Sequence, residues 1–316
     1  MSGSPAPGGR RALRWLERIG ALIVIGFLGV YLARNGSEVA AHPWRIEWGL
    51  LALATTCVLA AYSAFVLSWR RILGRFGGPL GALDAHRIWY IGNLGRYVPG
   101  KLLQLAGTAY LARAKGVSPV LTVSASLTSQ AFVLCAALVV AALTLPELGV
   151  EAAGLGGLWP VGLAVAGVLL LVVLTPALDL AYRLALRLLG RSEYFETLPA
   201  GEKVVLLAAN LIAWLAFGTG FWLFVRAVAP IEADTFVPML GISAAGYAGG
   251  YLAVFVPGGL GVREGIYALL LAAYVPPSMA VAIAILCRVW LTACELLPVT
   301  AFLARYGMTD LRAAHG

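Results

Sequence analysis

The sequence predicts an all-α polytopic membrane protein: about six transmembrane helices plus two re-entrant broken hairpins in inverted repeats, or alternatively eight spans. Three observations carry that prediction. Of the 316 residues, 61% are hydrophobic and only 12% charged, against roughly a quarter charged in an average soluble domain. A soluble protein of this size needs a polar surface that such a composition cannot cover. Apolar runs long enough for a ~30 Å hydrocarbon core recur along the chain, with basic clusters at alternate ends. Two further segments, 83–116 and 236–274, are apolar but interrupted by Pro-Gly and by charge.

The elements follow in order. Residues 1–17 read as a disordered basic N-terminus, small and Pro/Gly-rich and then carrying Arg10, Arg11 and Arg14. With Arg18 these precede the run 19–32, which reads as a cytoplasmic anchor rather than a signal peptide, because several hydrophobic segments follow. The run 48–69 is a span, and Arg70, Arg71 and Arg75 place its end in the cytoplasm. Further spans are predicted at 120–145, 158–178, 204–227 and 279–302. Between them, 146–154 carries Glu147 and Glu151, and 231–234 is acidic; both are expected outside. Arg183, Arg187 and Arg191 recur every four residues, so they share one face of a helix expected to rest on the cytoplasmic surface. Arg305 and Arg312 return the tail, 306–316, to the cytoplasm. The expected location is the inner (plasma) membrane with both termini inside.

The two interrupted segments match each other at an offset of 158 residues. Tyr97-Val98-Pro99-Gly100 aligns with Phe255-Val256-Pro257-Gly258, and Gly92, Gly107 and Pro119 align with Gly250, Gly265 and Pro277. This predicts an internal repeat with halves at about 48–178 and 204–302. The first segment has basic flanks on both sides, so it enters and leaves from the cytoplasm. Its counterpart then enters and leaves from outside, which makes the halves inverted. Irregular backbone at membrane depth is tolerated only inside protein or beside a water-filled cavity, so both breaks are expected within the bundle.

At each break, Pro-Gly ends one helix and the next starts at once, presenting free N–H groups and a positive dipole end to the interior. Two such ends make a site for an anion, phosphate being the natural candidate. From the first half the candidate substrate-binding residues are Arg96, Tyr97, Pro99, Gly100, Lys101, Gln104 and Gln130. From the second they are Pro257, Gly258, Gly259, Gly261, Arg263, Glu264, Arg288 and Glu295. Arg288 and Glu295 are seven residues apart on one face, too deep in a span to face lipid without a cost of about 2.5–3.5 kcal/mol each. Arg288 with Glu264, and Glu295 with Arg263, are the expected pairings, whether as structural ties or as a substrate site. The Gly246/Gly250 GxxxG is assigned to helix packing.

Several classes are excluded. The net charge of +8 sits in short clusters beside apolar runs, which suits anionic lipid and argues against nucleic acid. Cys57, Cys135, Cys287 and Cys294 lie within apolar runs, and His42, His86 and His315 are scattered, so no metal or other cofactor is expected. There is no P-loop, no nucleophile elbow and no paired acidic motif, so no catalytic residue is assigned and the chain is not expected to be an enzyme.

Residues 92–119, with Gly95-Arg96-Tyr97-Val98-Pro99-Gly100-Lys101, resemble the first hallmark of the lysyl-phosphatidylglycerol synthetase transmembrane (flippase-like) family. Val256-Pro257-Gly258-Gly259-Leu260-Gly261-Val262-Arg263-Glu264-Gly265 resembles its second. The resemblance spans roughly 18–305. It implies a flippase-like transmembrane domain that binds and translocates an anionic phospholipid or lipid-linked intermediate, with membrane lipids as partners. Lysyl-lipid-forming members carry a soluble aminoacyl-transfer domain after the membrane part. This sequence ends at Gly316, so lipid lysylation is not expected. Two other readings stay open: an enzyme or accessory acting on a polyprenyl-phosphate-linked sugar, and a non-transporting scaffold for a lipid-modifying enzyme partner.

Overall fold

A computed structural model describes residues 44–97, 102–144, 159–177, 180, 184, 197–253, 256 and 259–306. The predicted anchor 19–32, the acidic loop 146–154, the Arg183/Arg187/Arg191 surface helix and the tail lie outside the described residues, or almost wholly so. Every described element is helical: α1 (Trp48–Arg75), α2 (Ala82–Asn93), α3 (Leu102–Arg113), α4 (Pro119–Thr144) and α5 (Trp159–Leu174). They are followed by α6 (Ala200–Val228), α7 (Phe236–Leu252), α8 (Val262–Leu271) and α9 (Pro277–Tyr306). Short 3-10 turns at Leu94–Tyr97 and Ala233–Thr235 precede the first break and α7.

Four of these helices, α1, α4, α6 and α9, are long and apolar enough to cross a bilayer. The chain is a multi-pass membrane protein. Exposed aliphatic residues such as Leu53, Val204, Ile212, Val289 and Leu297 stud their outer faces, as lipid in place of water allows. α5 is shorter, at 16 residues.

α1 and α6 are antiparallel and fastened at both ends. At one end Glu202 of α6 accepts from Arg71, and from Arg75 at 3.3 Å. At the other, the Glu47 N–H donates to the Ala227 carbonyl at 2.9 Å. Polar ties set the direction of the remaining spans. Trp69 Nε1, near the end of α1, donates to Ser126 Oγ near the start of α4 at 3.1 Å, so α4 runs antiparallel to α1 and parallel to α6. Trp214 Nε1 joins the midpoints of α6 and α4 through the Val133 carbonyl at 2.9 Å. Trp290 Nε1 donates to Thr55 Oγ1 at 3.0 Å and Tyr62 meets Glu295, so α9 runs parallel to α1.

Within that frame, α2 and α3 form a hairpin that begins and ends at the Arg71 end. Lys115 beyond α3 reaches Asp84 at the start of α2 at 3.1 Å. Twelve residues rise only about 18 Å, so neither arm crosses ~30 Å of hydrocarbon. α7 and α8 form the second hairpin, which starts and finishes at the Glu47 end, where α6 stops and α9 starts. α8, at ten residues, is about 15 Å long. Helix boundaries recur at the 158-residue spacing: Pro119 and Pro277 open α4 and α9, and Arg113 and Leu271 close α3 and α8.

The second hairpin packs through glycine. A Cβ on Gly246 would lie 2.1 Å from the Tyr267 ring, so α8 crosses α7 at a distance only glycine allows. Gly259 has φ +66°, and a Cβ there would lie 2.6 Å from the Gly250 carbonyl oxygen.

Candidate functional site

Halfway along the spans, where α1 carries Tyr62 and α6 carries Trp214, the two hairpins meet the long helices around a cavity of ≈ 120 Å³. A second space of ≈ 80 Å³ adjoins it beside α9. Among the described residues, four charged ones line one or both: Arg96 from the tip of the first hairpin, Arg263 from α8, and Arg288 and Glu295 from α9. Gln104 and Gln130 line both. The rest of the wall is largely aromatic, with Tyr62, Trp89, Trp214, Phe217, Tyr247 and Tyr251.

The pairings differ in part from those expected. Arg288 Nε does lie 3.5 Å from Glu264 Oε1. Glu295 does not pair with Arg263. Its Oε1 accepts from Arg96 Nη1 at 2.8 Å and from the Tyr62 hydroxyl at 3.3 Å. The reason is topological: the first hairpin's tip packs beside α9, so Arg96 reaches Glu295. Arg263 instead donates through Nε to the Tyr267 hydroxyl at 2.8 Å. Its guanidinium carbon lies 5.4–5.8 Å from the ring centres of Phe217, Tyr247 and Tyr267, within cation–π range. Its Nη2 is buried with no hydrogen-bond partner among the described residues.

The half-helix picture also needs correction at the second break. The N-terminus of α8 is capped from within: Glu264 Oε2 accepts the Gly261 N–H at 2.5 Å. Glu264 is thereby a capping residue and the partner of Arg288, and neither it, Gly259 nor Gly261 lines the cavities. The α8 dipole is already answered by this carboxylate. Tyr97 is the last residue of the 3-10 turn. Pro99, Gly100, Lys101, Pro257 and Gly258 lie outside the described residues.

The hydroxyl and amide groups sort the wall further. Gln130 Nε2 donates to the Tyr247 hydroxyl at 2.8 Å, tying α4 to the second hairpin. Gln104 donates to Asn93 Oδ1 across the first. Tyr247 and Tyr251, one turn apart on α7, stack at 6.1 Å. The aromatic wall is what sequence reasoning missed. Its signal was present: Tyr62 places a hydroxyl mid-span, and Tyr247 and Tyr251 stand four apart on one face. Among the described residues no cluster of three His, Cys, Asp or Glu could hold a metal, and the four cysteines are unpaired by disulfide.

A family model for the lysylphosphatidylglycerol synthase TM region matches residues 18–296. The chain belongs to that family. The match takes in every helix from α1 to α8 and ends in α9 one residue past Glu295, so the family region contains all the charged groups of the cavity. No significant match was found among curated proteins.

Proposed function

We propose that this member of the lysylphosphatidylglycerol synthase TM family binds the phosphate of an anionic phospholipid or lipid-linked intermediate in the mid-span cavity and carries it between leaflets. The observation behind this reading is Arg263. Its guanidinium lines both cavities and meets no carboxylate among the described residues; aromatic rings and one hydroxyl hold it, and one amino group is unsatisfied. A cation kept at membrane depth with no counter-ion among the described residues suits a ligand that brings its own negative charge. The Arg96–Glu295 and Arg288–Glu264 pairs leave that positive charge uncompensated.

The inverted hairpins suit alternating access, since each enters from a different end of the bundle and both reach the cavity. We take the Arg71 end as cytoplasmic, because Arg70, Arg71, Arg75, Arg113 and Lys115 gather there. In this reading the chain is a carrier and not a catalyst, membrane lipids are its partners, and the plasma membrane is its location.

The test is scrambling of a fluorescent phosphatidylglycerol in proteoliposomes, with phosphatidylcholine alongside. Purified protein is expected to move the anionic lipid, and the Arg263→Ala/Arg288→Ala variant to lose most of that activity. Wild-type rates in the variant would remove the site.

A further inference from the structure

The Arg96–Glu295 ion pair has no equivalent in the other half of the molecule. Residue 254, the repeat counterpart of Arg96, is valine, and residue 137, the counterpart of Glu295, is alanine. The second hairpin is tied to α4 by the neutral Gln130–Tyr247 hydrogen bond and to α9 by Arg288–Glu264 at 3.5 Å, whereas the first is tied to α9 by Arg96–Glu295 at 2.8 Å. The two ion pairs differ in setting: Glu295 lines the cavities, whereas Glu264 lies outside them and caps α8. Of the two ion pairs, only Arg96–Glu295 has both partners in the cavity wall.

Glu295 is buried, and its carboxylate lies in the cavity where Arg96 and Arg263 are also found. It offers Arg96 what a phosphate offers, anionic oxygens accepting from a guanidinium. Tyr62 donates to the same carboxylate oxygen at 3.3 Å, so Glu295 keeps a hydrogen-bond donor if Arg96 leaves it. The arrangement has two compatible states: Arg96 on Glu295, or Arg96 on a ligand phosphate with Glu295 on Tyr62.

Resting on the reading of the cavity as an anion site, we propose that Glu295 is a resident stand-in for the ligand phosphate. In the empty protein it latches the first hairpin to α9 through Arg96. A phosphate headgroup that takes Arg96 breaks the latch and frees that hairpin to move, while the second hairpin keeps its Gln130–Tyr247 and Arg288–Glu264 ties. Ligand and carboxylate compete for one guanidinium, so Glu295 lowers affinity and makes hairpin release depend on occupancy.

The full chain in phosphatidylcholine nanodiscs tests this, with spin labels on cysteines replacing Leu103 of α3 and Val289 of α9, both exposed. A Cys57→Ala background leaves only the three buried native cysteines. The probes are dioctanoyl phosphatidylglycerol and, separately, inorganic phosphate. Ligand-free wild type is expected to give one short distance that lengthens with the lipid probe. Glu295→Gln is expected to be long without ligand and to bind the lipid probe roughly 5- to 10-fold more tightly, in the usual range for coupled sites. The charge-swapped Arg96→Glu/Glu295→Arg variant should recover the short distance, which separates a latch from general loss of packing.

Lengthening by inorganic phosphate shows that the phosphate group is sufficient, and lengthening by the lipid alone assigns the trigger to the lipid-borne group; either supports the latch. A Glu295→Gln protein at the wild-type distance, or one that binds the lipid probe more weakly, overturns it. If wild type binds neither probe, the anion-site reading fails. The ligand-free distances then decide the latch by themselves, a long Glu295→Gln distance supporting it and a wild-type distance overturning it.

Discussion

Arg288 of the last span sits 3.5 Å from Oε1 of Glu264, whose other oxygen accepts the Gly261 N–H that opens α8. One carboxylate thus ties the second hairpin to α9 and caps the hairpin's returning helix. Glu264→Gln keeps an acceptor for the cap but removes the charge facing Arg288, and is expected to cost about 3 kcal/mol, as for breaking a buried pair from one side. Glu264→Ala loses the cap as well, adding about 1 kcal/mol. Unfolding titrations in mixed micelles check the order. Equal losses for the two variants would mean that the cap contributes nothing.

The Gly246 contact gives a sharper contrast. A side chain at Gly246 meets the Tyr267 ring at 2.1 Å, whereas one at Gly265, on the same hairpin, meets nothing within 4 Å. Gly246→Ala is therefore expected to destabilise by about 1–3 kcal/mol through overpacking, and Gly265→Ala to stay within about 0.5 kcal/mol of wild type. The measurement is the same detergent titration. Similar effects at both positions would show that helix propensity, and not the crossing of α7 and α8, sets the outcome.

At the Arg71 end, Glu202 is buried while Arg71 and Arg75 are half-exposed. Removing the carboxylate unfastens α1 from α6 there, and Glu202→Gln is expected to cost about 1 kcal/mol at low salt. Because the arginines face water, that difference should shrink as ionic strength rises toward 1 M, where the screening length falls to about 3 Å. Thermal unfolding at both salt concentrations reads it. A cost that ignores salt would place the pair in a drier setting than its exposure indicates.

How much of this was legible in the sequence depends on the range of the signal. The spans were readable because lipid demands about twenty apolar residues in a row, a local property; 120–145 was expected and Pro119–Thr144 is observed. The sequence places the α6 start at 204, because Glu202 and Lys203 look like a boundary when their partners are unseen, whereas the helix opens at Ala200. In the structure Glu202 meets Arg71, and Lys203 Nζ donates to the Thr175 carbonyl at 2.7 Å. The Arg288–Glu264 pair was inferable, since deep charges need opposite charges. Which acid Arg263 would meet was not. That depends on how two hairpins approach α9, and the answer, Tyr267 and three rings, uses residues whose types carry no charge signal.

Tyr267 is the residue on which the site's free cation depends. Its hydroxyl accepts from Arg263 Nε at 2.8 Å, and it lies 3.4 Å from the Ser243 carbonyl, to which it donates. The ring itself packs over Gly246 and against Phe221 at 4.9 Å. Tyr267→Phe keeps the ring and its packing while removing the one hydroxyl among the described residues that fixes the guanidinium. A hydrogen bond to a charged group contributes about 1.5–3 kcal/mol, but part of that loss falls on the free protein. The expected result is a fold about 1 kcal/mol less stable, with roughly tenfold weaker binding of dioctanoyl phosphatidylglycerol. Arg263→Lys should behave worse than Tyr267→Phe, because a single ammonium cannot keep the cation–π contacts with Phe217 and Tyr247 and the Tyr267 hydrogen bond while also reaching a ligand. Lipid-binding isotherms on the two variants check both statements. Unchanged affinity in Tyr267→Phe would show that the rings alone orient Arg263.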